Sequence, residues 1–126
     1  MDQLRIFYDG ACHLCYREVK AYKKKDYSNL LLLVDISSNE FDANNYGLDN
    51  HLVNIHMHSM SEDGKIYKGI DTFIEIWKRV PPYNKLIPIF ENSALRPLFD
   101  SGYNIFAKFI RPNLPKRDCE NGQCQI

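Results

Sequence analysis

The stretch Leu4-Arg5-Ile6-Phe7-Tyr8-Asp9-Gly10-Ala11-Cys12-His13-Leu14-Cys15 decides how the rest of the chain reads. Its first five residues are mostly apolar and stop at Asp9-Gly10, the pattern of a short buried strand entering a turn. From about Cys12 to Lys25 the spacing becomes helical. Cys15, Val19 and Tyr22 fall on one face, with Arg17, Lys20 and Lys24 turned away from it. Two cysteines in C-x-x-C spacing therefore stand where a strand hands over to a helix. Such a pair serves dithiol chemistry or supplies half of a zinc site, and the surroundings must decide.

Working outward, Asp26-Tyr27-Ser28-Asn29 breaks the first helix, and Leu30 to Ile36 is an apolar run with one late acid, Asp35. Its length fits a strand covered on both faces, as in parallel pairing. Ser37-x-x-Glu40 reads as a capping box, predicting a short helix over 38–46 closed by Gly47 as a left-handed cap. From Leu52 the period turns to two, which predicts a strand with Val53, Ile55 and Met57 on one side and Asn54, His56 and His58 on the other. His56-x-His58 resembles a metal pair in spacing. Two ligands are too few, and a packing or solvated role is the better reading. Asp63-Gly64 marks a hairpin turn returning through Lys65 to Lys68, and Gly69 ends that strand. Thr72-x-x-Glu75 predicts the next helix, with Ile70, Phe73, Ile74 and Trp77 buried, stopped by Pro81-Pro82.

Beyond the prolines, Asn84 to Glu91 is ambiguous because Pro88 interrupts it. Leu95, Leu98, Phe99, Gly102, Tyr103, Phe106 and Phe109/Ile110 recur at helical spacing, with Pro97 in the first turn and Pro112 as the stop. This stripe is expected to pack on its own domain. The order is β-α-β-α-β-β-α followed by a helical extension, an α/β plan of the thioredoxin-like type. Residues 1–80 form the expected core, 81–111 an extension packed on it, and 112–126 a flexible tail carrying Cys119 and Cys124.

Composition narrows the function. The chain has 126 residues, 16 basic and 16 acidic, for a formal net charge of zero. A nucleic-acid partner is not expected without a basic excess. Lys23-Lys24-Lys25 is better explained as a helix end, where cations suit the dipole. Met1 to Arg5 carries an acid and precedes no apolar h-region, so no secretory signal is expected. No apolar run approaches the ~18 residues that a membrane-spanning helix needs. The expected location is cytoplasmic, where thiols stay reduced and a C-x-x-C is catalytic or metal-binding more often than a structural disulfide.

Phe7-Tyr8-Asp9-Gly10-x-Cys12-x-Leu14-Cys15 resembles the signature of the DCC-type thiol–disulfide oxidoreductase-like proteins. The resemblance continues through Val34-Asp35-Ile36, through Asp63-Gly64-Lys65-Ile66-Tyr67-x-Gly69-x-Asp71, and through Leu95-Arg96-Pro97-Leu98 with Tyr103. It implies a thioredoxin-like fold and thiol–disulfide exchange. One departure stands out. Thioredoxin-like enzymes carry a cis-proline just before the third strand, and residues 46–53 contain no proline, so the substrate-docking edge is expected to be built differently or to be absent.

The chemistry is assigned accordingly. Cys12 is the expected nucleophile, the more exposed sulfur, with the helix N-terminus favouring negative charge there. Cys15 is the resolving thiol, Asp9 its proton acceptor or a cap of the turn. His13, if protonated, and Gly10, through the turn, modulate the pair. A thiol whose pKa drops from about 8.5 to about 7 gains roughly sixteenfold in thiolate and loses about fivefold in intrinsic nucleophilicity, a net factor near three. Partners are a disulfide-containing protein or a small thiol, and no cofactor is needed. The alternative is a non-catalytic thioredoxin-like binding module, or a zinc holder using Cys12, Cys15, Cys119 and Cys124. A third expectation, held below the plain reading of two exposed cysteines, is a tail relay from Cys119 and Cys124 to the pair. A haloacid-dehalogenase-type aspartate loop is excluded, because the second acid it needs would stand at Ala11.

Overall fold

The computed structural model describes residues 1–110. Strand β1 (Leu4–Tyr8) runs through the middle of a four-stranded sheet of order β2-β1-β3-β4. Strand β2 (Leu31–Asp35) pairs with it in parallel, Leu4 opposite Leu31 and Tyr8 opposite Asp35. Helix α1 (His13–Lys24) makes the crossover between them. On the other side β3 (His58–Ser61) pairs antiparallel with β1, and β4 (Ile66–Lys68) returns through the expected turn, with Gly64 at φ 87°. Helix α3 (Ile70–Arg79) follows directly.

The alternation along β1 builds two cores. Leu4, Ile6 and Tyr8 pack with Val19 and Tyr22 of α1 and with Ile74 and Trp77 of α3. Phe7 faces the opposite way, onto Ala43, Leu48 and Val53. A strand covered on both faces is what the apolar run Ile6-Phe7-Tyr8 requires. Element order, mixed sheet and two covered faces together make a thioredoxin-like fold.

Two segments differ from their sequence reading. The helix expected over 38–46 shrinks to a 3-10 turn, Ala43–Tyr46, capped by Asp42 and closed by Gly47 at φ 71°. The capping box fails because Ser37 is drawn to Asp35 instead, its N–H and hydroxyl both donating to Asp35 Oδ1. The second correction concerns the third strand. Residues Asn50–Ile55 form helix α2, whose N-cap Asp49 accepts the Leu52 N–H, and the strand begins only at His58. Apolar residues at alternate positions over so short a window suit either period, and Asp49 decides for helix. His56 and His58 consequently share no strand face. His56 lies past the end of α2 against the Tyr103 ring, and His58 is buried, its Nδ1 2.8 Å from the His56 carbonyl. A third misreading is local. Thr72 caps nothing: the N-cap of α3 is Gly69, and the buried Thr72 hydroxyl donates to the Met57 carbonyl.

The extension consists of a 3-10 turn (Tyr83–Leu86), α4 (Ile87–Phe90) and α5 (Arg96–Ile105), the last continued as a wider π turn over Phe106–Ile110. A ladder of rings fixes it to α3, with Trp77 to Phe90 at 4.9 Å, Phe90 to Phe99 at 4.3 Å and Phe73 to Tyr103 at 5.9 Å between centroids. Arg96 adds ion pairs to Asp71 and Asp100. Of the expected stripe, Phe99 and Tyr103 pack inward, whereas Leu98 and Phe109 are each 67% exposed. The tail segment with Cys119 and Cys124, and with it the relay and the four-cysteine zinc site, lies outside the described residues.

Candidate functional site

The cysteine loop is fixed by its neighbours before the sulfurs enter. As β1 ends, the Asp9 side chain accepts the Ala11 N–H at 3.0 Å and its carbonyl accepts the Cys12 N–H at 3.1 Å, an Asx-type turn. The turn-capping role of Asp9 is thus occupied. Gly10 donates its N–H to Asp35 Oδ1 at 2.9 Å, and a Cβ on Gly10 would overlap the Asp35 carboxylate. The parallel register that sets Tyr8 beside Asp35 delivers that carboxylate to the loop. Asp35 is the site residue that sequence reading missed. Its signal was present as a lone acid at the end of an otherwise apolar strand.

Cys12 is the N-cap of α1, and its Sγ accepts the Cys15 N–H at 3.4 Å. A sulfur in this position meets the unpaired N–H groups and the positive end of the helix dipole. Both cysteines are buried, and the expected order of exposure is reversed: Cys12 is 0% exposed and Cys15 9%. The reason is position. As the cap residue Cys12 is folded into the turn, while Cys15, one turn on, borders a cleft. His13, the first residue of α1, is exposed.

That cleft has a volume of about 30 Å3. Helix α1 supplies Leu14, Cys15 and Glu18 to one wall, with Asp9 and Phe7 at its β1 end. Val53, Met57 and Phe73 also line it, as do Tyr103 and Phe106 of the extension. Tyr103 is tied in place, because its hydroxyl accepts the Met57 N–H at 2.8 Å. Gly69 makes room for it. At φ 62° a side chain there would be strained, and a Cβ would stand 3.3 Å from the Tyr103 ring. The backbone just before β3 is therefore engaged by an aromatic residue of the extension.

Glu18 also escaped sequence reading. It lies one turn beyond Cys15 and accepts a 2.7 Å hydrogen bond from the Tyr22 hydroxyl, which in turn accepts the Trp77 indole N–H at 3.2 Å. Burial, reinforced by the Glu18 charge, holds the Tyr22 phenol well above its ordinary range, so it stays a donor. Spacing i, i+3 from a cysteine was the available signal. Among the described residues no three His, Cys, Asp or Glu side chains converge as metal ligands. No helix among them is long and apolar enough to cross a membrane.

A family model described as DCC1-like thiol-disulfide oxidoreductase matches residues 6–117. An uncharacterized chloroplastic protein of Arabidopsis thaliana is 30% identical over 109 residues, covering 85% of this chain and 50% of that protein. The chain thus spans half the length of this relative. No solved structure matches.

Proposed function

Because the chain belongs to the DCC1-like thiol-disulfide oxidoreductase family, we propose that it exchanges disulfides with thiols through Cys12 and Cys15. The observation that carries this reading is their division of place. One sulfur rests on a helix N-terminal N–H, and the other borders the cleft.

In the reducing direction the Cys15 sulfur attacks one sulfur of a substrate disulfide, and Asp9, on the same cleft, takes the thiol proton. The first substrate thiolate leaves and collects a proton. The Cys12 sulfur then attacks Cys15 Sγ, closing the Cys12–Cys15 disulfide and expelling the second substrate thiol. Two electrons have passed from the protein dithiol to the substrate. In reverse, an incoming thiolate attacks Cys15 Sγ, and the charge that develops on the departing Cys12 sulfur is met by the Cys15 N–H. The order of attack differs from the sequence expectation because a fully buried Cys12 sulfur cannot be reached by a substrate disulfide, whereas Cys15 borders the cleft. His13 and Gly10 act on the pair through charge and turn geometry.

The chemistry requires no cofactor, and its substrates are protein disulfides or small thiols in a reducing compartment, which we take to be the cytoplasm. Complete burial of Cys12 favours a second reading, a non-catalytic or zinc-holding module. Equilibrating the protein in dithiothreitol buffers of graded potential, with alkylation of Cys12 and Cys15, separates the two. Exchange predicts one reversible two-electron transition. Thiols that remain reduced throughout, with about one zinc per chain, would establish the second reading.

A further inference from the structure

Bordering the cleft does not yet give Cys15 a substrate. At about 30 Å3 the space holds about one water molecule. Attack brings a disulfide sulfur, with its carbon arms attached, to about 3–3.5 Å from the attacking sulfur. One wall must therefore move. Phe7 and Val53 belong to the core on one face of the sheet, Met57 and Phe73 pack with the core on the other, and α1 is anchored by Val19 and Tyr22. Tyr103 and Phe106 differ, because they stand on the far half of α5 and its π turn. The near half is fixed by the Phe90–Phe99 stack at 4.3 Å and by the Arg96–Asp71 ion pair. Beyond it Ile105, Phe109 and Ile110 are exposed, and the inward side is held by Tyr103, half-buried Phe106 and buried Ala107. Single π turns of this kind are frequent at functional sites. Gly102 marks the boundary between the halves. A Cβ there would meet nothing within 4 Å, so packing does not require glycine, and in a helix interior glycine is less stable than alanine.

We propose that Tyr103 to Ile110 form a gate over Cys15, released as a unit at Gly102, and that its opening carries Phe106 out of the cleft and admits a disulfide to the sulfur. The consequence for exchange rests on the dithiol reading of Cys12 and Cys15, whereas the opening itself needs only a thiol to report it. Local opening draws on the least densely packed segment of a fold and leaves the core intact. Cys12, folded into the turn, stays covered when the gate opens.

Iodoacetamide alkylation of the reduced full-length chain, mapped by mass spectrometry, reads the gate without any exchange chemistry. Cys15 should react well ahead of Cys12, with a weak urea dependence below the unfolding transition, because a small opening exposes little surface. Gly102→Ala should stabilise the closed helix and slow alkylation of Cys15 by about three- to fivefold. Tyr103→Phe, which leaves the Met57 N–H without its acceptor, should quicken it by about tenfold. Oxidation of the pair by 2-hydroxyethyl disulfide should move by the same factors. If Tyr103→Phe does not fold, Gly102→Ala decides alone. A Cys15 rate that neither substitution moves would overturn the gate. So would a rate that climbs with urea in step with Cys12, as global unfolding requires. Alkylation that behaves as stated, with a disulfide that never oxidises the pair, would uphold the gate and refute the dithiol reading beneath it.

Discussion

Gly10 and Asp35 share one space: the Asp35 carboxylate stands where a Cβ of Gly10 would be, and its Oδ1 accepts the Gly10 N–H at 2.9 Å. Gly10→Ala must therefore displace either β2 or the turn that carries Cys12. The expected cost is about 2–3 kcal/mol in chemical denaturation, the range for an overpacked site, with slower exchange. Pairing it with Asp35→Ala should recover part of that loss, since each single change already breaks the same contact. A strictly additive double variant would deny the coupling.

Asp9 has two duties to separate. It accepts the Ala11 N–H, and it faces the cleft beside Cys15. Asn at this position retains the acceptor but cannot take a thiol proton. Asp9→Asn should melt within a few degrees of the natural protein and exchange about 10- to 100-fold more slowly. Unchanged exchange would reduce Asp9 to a turn cap.

Tyr103→Phe removes only the oxygen that accepts the Met57 N–H and leaves the ring packed on Phe73. The buried amide then loses its partner, at a cost of about 1–2 kcal/mol by urea unfolding. Hydrogen exchange at Met57 should quicken while that at the centre of β1 keeps its relative rank. Protection of Met57 unaltered by the substitution would mean that the phenol does not hold this backbone.

His58 gives the fold a pH dependence. Burial, joined by the Lys68 charge, pushes its pKa below the ordinary 6.5, against the raising effect of the His56 carbonyl. The unfolded chain then binds the proton more readily than the folded one. Stability from this group is complete above about pH 6.5 and declines as pH falls below it. Urea midpoints at pH 7.5 and 5.5 should differ in the natural protein and differ less in His58→Gln. An equal difference in both would assign the acid sensitivity elsewhere.

Much of this architecture was legible because its signals were local. Leu4–Tyr8, the Asp63-Gly64 turn and Pro97 in the first turn of α5 each carry their own chemistry. The segment over 38–58 was not, because its outcome depends on competition. Ser37 had a capping pattern of its own, but Asp35 captured it, and the alternation Val53-Ile55-Met57 gave way to the Asp49 cap. The site divides in the same way. Cys12, Cys15 and Asp9 stand together in sequence and stay together in space. Asp35, Glu18 and Tyr103 reach the loop or cleft only through parallel register, helix phase and the docking of α5. Burial of Cys12 was the least readable feature, since exposure belongs to the assembled surroundings rather than to a motif.

The most direct test of the central claim is trapping with single-cysteine variants. Cys12→Ser and Cys15→Ser, each incubated with a small aliphatic disulfide such as 2-hydroxyethyl disulfide and mapped by mass spectrometry, report which sulfur engages substrate. Two-thiol exchange with the cleft at Cys15 predicts a mixed disulfide that accumulates on Cys15 in Cys12→Ser, and much less adduct on Cys12 in Cys15→Ser. An adduct confined to Cys12 would contradict the order of attack, and the absence of adduct on either would contradict thiol–disulfide exchange itself.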